Sequence, residues 1–138
     1  MRHATACEED RIIDTPAIKG TQLENVKAVI FDFDYTLADS SRGVVECVNY
    51  AMGRLGLLPV SAEAACRTIG LSLPDTFVAL VGPERAAQAD RLTQLFVERA
   101  DQVMVDLTVL FPAVPGVLVS LRERGLSLAI VSTKYRYR

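Results

Sequence analysis

The chain has 138 residues, a hydrophobic share of 50% and a formal net charge of −2, so it is long enough for one domain or a small pair with a real core. Acidic and basic residues are interspersed, which predicts no nucleic-acid partner and no anionic membrane surface. The sequence has no apolar run of the roughly 18–20 residues that a membrane span needs and no apolar secretory core near its start, so we expect a cytoplasmic protein.

Residues 1–24 are polar and aperiodic, and we interpret them as an N-terminal extension. They contain His3, which is the only histidine of the sequence, so the Ser-His-Asp and Cys-His mechanisms are excluded. The cysteines stand at positions 7, 47 and 66 without a metal or redox spacing. This pattern favours reduced thiols.

Residues 26–33 form the first predicted strand. Its apolar residues follow one another almost without interruption, which is typical of a strand that is covered on both faces in a parallel sheet. Asp32 and Asp34 stand at its carboxyl end, and Thr36 and Leu37 follow. Because alternate residues of a strand point the same way, we expect the two carboxylates to lie close together.

Two carboxylates held close together repel each other unless a cation lies between them or one of them keeps its proton. Mg²⁺ is a hard cation with oxygen ligands and would suit such a pair. One carboxylate could then attack an electrophile while the other moves a proton. The alternative is an ordinary acidic loop that follows a strand.

The next part of the chain, residues 41–107, has a helical pattern. Apolar residues recur on one face of each predicted helix, and glycine and proline separate the helices. We interpret this part as an all-helical unit inserted after the first strand. The predicted helices cover residues 41–57, 61–68, 75–81 and a longer segment that opens at Gly82.

Residues 108–138 return to an α/β pattern. Two prolines and a glycine precede a predicted helix over 115–124, and a second apolar strand covers 126–131. Strand, helix and strand in this order imply a parallel crossover. We therefore predict an α/β fold in which residues 25–40 and 108–138 form a partial core.

The end of the first strand resembles the first motif of the haloacid dehalogenase (HAD) superfamily, in its phosphoglycolate-phosphatase-like branch. The resemblance implies that Asp32 is the nucleophile and forms an aspartyl phosphate, and that Asp34 is the general acid and base. It also implies that Mg²⁺ meets Asp32 and the backbone carbonyl of Asp34. Most relatives have glycine where this chain has Tyr35. The matching residues read Asp32-Phe33-Asp34-Tyr35-Thr36-Leu37, followed by Asp39-Ser40.

The end of the second strand resembles the second motif of the same superfamily, with Ser132 after Leu128–Val131. The resemblance implies that Ser132 binds a phosphoryl oxygen and that Thr133 and Lys134 lie in the phosphate-binding stretch. It also implies a HAD-like Rossmannoid core, here with an incomplete parallel sheet, and a helical cap formed by residues 41–107.

The family's last two motifs, a lysine and the acids that complete the Mg²⁺ site, have no counterpart before Arg138. We therefore expect an incomplete fragment with little activity. An apolar strand edge without a neighbour also favours self-association.

The expected function is that of a Mg²⁺-dependent phosphomonoester hydrolase acting on a small phosphorylated metabolite. A sugar phosphomutase of the same fold and a non-catalytic fragment or module remain as alternatives. A dehalogenase is disfavoured, because a carbon-centred displacement has no use for a second acid at Asp34. Arg42 and Arg67 are interpreted as solvated rather than substrate-binding.

Overall fold

The computed structural model describes residues 25–132. The N-terminal extension and the last six residues, which include Thr133 and Lys134, lie outside the described residues. A short 3₁₀ helix, Pro83–Gln88, precedes the fourth α-helix. The strands and α-helices are, in chain order, β1 (Ala28–Phe31), β2 (Ala38–Asp39), α1 (Ser41–Arg54), α2 (Ala62–Cys66), α3 (Leu73–Val81), α4 (Ala89–Val103), β3 (Val109–Leu110), α5 (Val114–Glu123) and β4 (Ser127–Ile130).

The four strands form two separate pairs. β1 and β4 are parallel, with a register that runs from Ala28↔Ser127 to Phe31↔Ile130, and α5 connects back to β4. The predicted α/β class and the incomplete parallel sheet are therefore confirmed. β2 and β3 form an antiparallel pair that the sequence analysis did not predict. Two residues per strand are too few to produce a periodic pattern.

The helix boundaries differ from the predictions where glycine and proline act locally. α1 ends at Arg54 rather than at residue 57, and Gly56 follows with a φ of +66°. α3 begins at Leu73 rather than at residue 75, so Pro74 does not break the chain. Proline is tolerated in the first turn of a helix, where its missing N–H has no intrahelical partner to lose. Among residues 25–132, no helix is long and apolar enough to cross a membrane.

The buried core lies among α1 to α4, where the predicted apolar stripes meet. Phe77 and Phe96 contact edge to face, with ring centroids 6.3 Å apart and planes at 77°, a favourable geometry for an aromatic pair. On the outer side of this core, Arg99 Nε donates to Glu46 Oε1 at 2.8 Å and joins α4 to α1. The core residues are Cys47, Val48, Ala51, Met52, Ala65, Phe77, Ala89, Leu92, Leu95 and Phe96.

The parallel strands are much less covered than their sequences predicted. None of the residues of β1 or β4 is buried, and Ile30 and Ile130 are 64% and 59% exposed. The expectation of a strand covered on both faces is therefore wrong for the described part of the chain. Parallel sheets are usually covered by helices on both faces, whereas helices α1 to α4 pack with one another into a core of their own.

The cysteines also differ from expectation at one position. Cys47 is a free thiol in the helical core, as predicted. Its pKa is raised from the ordinary 9.0 to about 12, mainly by burial and also by the Glu46 carboxylate, while the Arg99 guanidinium acts to lower it. Cys66 does not meet the expectation of a reduced thiol, because it is disulfide-bonded.

Candidate functional site

The polar residues that follow β1 and β4 come to one edge of the parallel pair. Asp32 directly follows β1, and Ser132 follows β4 after Val131. Val131 N donates to Phe31 O at 2.9 Å, so the pairing continues to the last residue of β1. Parallel strands that are in register end at the same edge. Asp32 and Ser132 therefore leave the sheet at the same end, with Asp32 exposed and Ser132 half-buried. Their roles as nucleophile and phosphate-binding residue stay predictions.

A tight turn after Asp32 holds the second aspartate. Phe33 O accepts from Leu37 N at 2.9 Å, Tyr35 N donates to Ala38 O at 2.9 Å, and Asp34 forms an isolated bridge with Ala38. Tyr35 has a φ of +58°, a left-handed conformation that glycine adopts without steric cost. The turn geometry thus explains why a glycine suits the position that tyrosine occupies here.

The carboxylate of Asp34 is held by a serine six residues later. Ser40 Oγ donates to Asp34 Oδ1 at 2.6 Å, and Ser40 is completely buried. Ser40 belongs to the motif that follows the first strand, but the motif by itself predicted no role for it. A serine directly before a helix predicts a helix cap, in which its oxygen accepts from a backbone N–H of the first turn. The local pattern therefore predicts a backbone partner for Ser40 rather than the Asp34 carboxylate.

The donors at this edge fit Mg²⁺ by their chemistry. Asp32 offers carboxylate oxygens and Asp34 a backbone carbonyl oxygen, and Mg²⁺ commonly binds to one or two protein oxygens while it keeps several waters and takes oxygens from a phosphate. Residues 25–132 contain no group of three or more acidic, histidine or cysteine side chains placed to hold a metal. Among residues 25–132, Asp32 and Asp34 are therefore the candidate metal-binding residues at this end of the sheet.

The two arginines considered in the sequence analysis lie on the helical part of the chain. Arg67 is exposed and pairs with Glu63 on the surface of α2, in agreement with its interpretation as solvated. Arg42, in the first turn of α1, is also exposed and lines a shallow pocket of about 260 Å³ together with Glu46 and Asn49. The predicted phosphate-binding residues Thr133 and Lys134 lie outside the described residues and stay predictions.

A comparison with family models matches residues 29–138 to the family described as haloacid dehalogenase-like hydrolase. The matched segment includes both aspartates and Ser132, and it extends over most of the chain. A crystal structure assigned to a haloacid dehalogenase-like hydrolase from Bacteroides fragilis is similar, with a TM-score of 0.75 and 39% identity. The similarity covers 81% of this chain and 53% of that one.

Two curated relatives have different names. A phosphoglycolate phosphatase from Chromobacterium violaceum is 32% identical over 117 residues, which are 81% of this chain and 53% of that protein. The tyrosine-protein kinase PtkA of Mycobacterium tuberculosis is 30% identical over 113 residues, which are 80% of this chain and 37% of that protein. The chain thus spans about half or less of the length of these relatives.

Proposed function

Since the chain belongs to the haloacid dehalogenase-like hydrolase family, we propose that the protein is a Mg²⁺-dependent phosphomonoester hydrolase that acts through an aspartyl phosphate. One observation supports this most directly. Asp32 leaves β1 at the edge where Ser132 follows β4, and the turn after Asp32 keeps Asp34 in the same region. Nucleophile, acid and phosphate-binding hydroxyl are the parts that such a reaction needs.

The proposed reaction has two displacements at phosphorus. A carboxylate oxygen of Asp32 attacks the phosphorus, the bond from phosphorus to the ester oxygen breaks, and Asp34 gives its proton to the departing alcohol. Water then attacks the phosphorus of the aspartyl phosphate and gives a proton to Asp34, and the bond from phosphorus to the Asp32 oxygen breaks. Inorganic phosphate leaves, and both aspartates return to their starting states.

The remaining groups hold the phosphoryl oxygens. Ser132, and with it Thr133 and Lys134, would donate hydrogen bonds or positive charge to the transferring group. The carboxylate of Asp32 and the backbone carbonyl of Asp34 would hold Mg²⁺, which would supply positive charge against the phosphate oxygens.

The substrate proposed is a small phosphorylated metabolite, by analogy with the relative that is named phosphoglycolate phosphatase. We assign residues 41–107 as a cap and residues 25–40 and 108–138 as the partial core that carries the catalytic groups. This division is supported by the chain order, because all elements between β2 and β3 are helices. A helical layer at that position would exclude water and select the leaving group.

The test is hydrolysis of p-nitrophenyl phosphate by the 138-residue chain with and without Mg²⁺. We expect a low absolute rate, since residues 25–132 contain no group of three acidic, histidine or cysteine side chains placed to hold the metal. Asp32→Asn should lower kcat by about 10³-fold or more, because it removes the nucleophile. Asp106→Asn, which changes an exposed aspartate outside the proposed site, should leave kcat unchanged.

Two outcomes would count against the proposal. A metal-dependent rate that Asp32→Asn leaves intact would remove Asp32 from the mechanism. A folded sample without any turnover would reject hydrolase activity for this chain and favour the non-catalytic alternative.

The identity of the phosphoryl acceptor needs a separate experiment. Water is the acceptor in the proposed hydrolysis. The sequence identity to a protein named as a tyrosine kinase, 30%, is close to the 32% identity to the phosphoglycolate phosphatase, so a hydroxyl acceptor should be tested as well. Product analysis in the presence of a tyrosine peptide or a sugar phosphate separates these cases. Release of inorganic phosphate alone supports the hydrolase, and phosphate on the peptide or on a second sugar hydroxyl supports a kinase or a mutase.

A further inference from the structure

The hydroxyl of Ser40 binds Asp34 instead of capping the helix that follows it. Ser40 occupies the N-cap position of α1, where a serine oxygen usually accepts from a backbone N–H of the first turn. Its side chain makes no such bond, and Oγ instead donates to Asp34 Oδ1 at 2.6 Å. Asp39 instead provides an acceptor for the start of α1, because Ser41 N donates to Asp39 Oδ1 at 2.9 Å.

The surroundings of Ser40 hold this bond in one geometry. The residue is completely buried, and its carbonyl oxygen accepts from Val44 N at 3.0 Å. Three residues later, a Cβ on Gly43 would lie only 2.5 Å from Met104 Sδ, so the first turn of α1 packs closely against the end of α4. The donor therefore has little freedom to move away, and a short hydrogen bond from a hydroxyl to a carboxylate is among the stronger kinds.

We infer that Ser40 is a positioning residue that holds the Asp34 carboxyl in its working orientation. This inference rests on the proposed function, in which Asp34 gives a proton to the departing alcohol while the bond from phosphorus to the ester oxygen breaks. Proton transfer needs the carboxyl within hydrogen-bond reach of that oxygen. A displacement of about 1 Å in such a group can cost a hundredfold in rate.

The experiment compares kcat/KM of the Ser40→Ala variant with that of the unchanged chain on two substrates that differ in their leaving group. An alkyl phosphate such as phosphoglycolate needs a proton on its departing alcohol, whereas p-nitrophenolate leaves without one. For kcat/KM, which reports events up to the first irreversible step, we expect a loss of about 10–100-fold on phosphoglycolate. On p-nitrophenyl phosphate the expected loss is less than about threefold, because the same step there needs no acid.

Ser41→Ala is the matched control. Ser41 is the next residue and is equally buried, but its Oγ has no hydrogen-bond partner in the described chain. This variant should leave the ratio of the two kcat/KM values unchanged. Equal losses on both substrates in Ser40→Ala would show a general structural defect and would overturn the inference.

Thermal melts test the same contact without any turnover. Ser40→Ala should lower the melting temperature by roughly 5 °C in the unchanged chain, since it removes a hydrogen bond to a carboxylate. In an Asp34→Ala background the same substitution should lower it by about 1 °C or less, because the partner is already gone. Equal shifts in both backgrounds would overturn the inference. A chain that turns over neither substrate would reject the proposed function, and the melts would still decide whether Ser40 holds Asp34.

Discussion

The helical and the strand-forming parts of this molecule differ sharply in burial. Among residues 25–132, helices α1 to α4 contain ten of the thirteen buried apolar side chains, whereas β1 and β4 contain none. The residues proposed for chemistry follow the less covered strands. Most of the stability that packing provides should therefore come from the helices rather than from the strands that precede the proposed site.

Strand pairing and hydrogen bonds connect the helical part to the strand-forming part. β2 and β3 pair where the chain enters and leaves the helices, and Phe111 N donates to Leu37 O at 3.1 Å beside them. The bond from Ser40 to Asp34 lies at the same crossing. These backbone and side-chain bonds connect the packed helices to the more exposed sheet. Substitutions in each part can therefore measure how much packing contributes to stability there.

The largest expected effect is the loss of a side chain from the helical core. Leu92 is fully buried, and Leu92→Ala should lower the free energy of unfolding by about 2–5 kcal/mol through lost burial and a cavity. Ile130→Ala, in the exposed β4, should change it by less than about 0.5 kcal/mol. Urea unfolding followed by far-UV circular dichroism measures both values. Equal losses would contradict the contrast between the two parts.

An intermediate effect is expected for thiol reactivity. Cys47 is buried and its pKa is raised to about 12, so the unreactive neutral thiol persists at pH 8. A cysteine introduced by Val131→Cys would stand at an exposed position after β4. Iodoacetamide should modify Cys47 at least about a hundredfold more slowly than this introduced thiol, since Cys47 must wait for an opening of the core. Peptide mass spectrometry assigns each site, and similar rates would mean that the core opens as readily as the strand end.

The same thiol gives a dependence of stability on pH. Its folded pKa is raised, so the stabilisation from keeping it neutral is fully present below the ordinary pKa of 9.0 and is lost as the pH rises toward about 12. Cys47→Ala should reduce the loss of melting temperature between these pH values. An identical alkaline loss in both proteins would show that other groups cause it.

The smallest effect concerns the turn that follows Asp34. Tyr35→Gly and Tyr35→Ala both remove the ring, but only alanine keeps a Cβ at a φ of +58°. The glycine variant should be more stable than the alanine variant by about 1 kcal/mol, because the left-handed conformation is costly for a residue with a Cβ. Melting curves of the pair measure the difference. A more stable alanine variant would mean that the turn relaxes when the ring is removed.

Much of the architecture was predictable because it depends on local pattern. The apolar run before Asp32 and the apolar run before Ser132 each predicted a strand, and their order around a helix predicted parallel pairing. The two acidic positions and the serine also predicted membership in the HAD superfamily, which the family match confirms. The boundaries of α1 and α3 were less predictable, since single residues such as Pro74 act differently in a first turn and in a helix interior.

The sequence by itself determined which residue types stand at the ends of the two strands, because the alternation and length of apolar runs are local properties of the chain. Only the tertiary structure decided that β2 pairs with β3 and that the Ser40 hydroxyl reaches Asp34 rather than the first turn of α1. A hydroxyl that can serve either a backbone N–H or a carboxylate has two competing partners. The choice between them depends on which one the packed chain brings within hydrogen-bond distance.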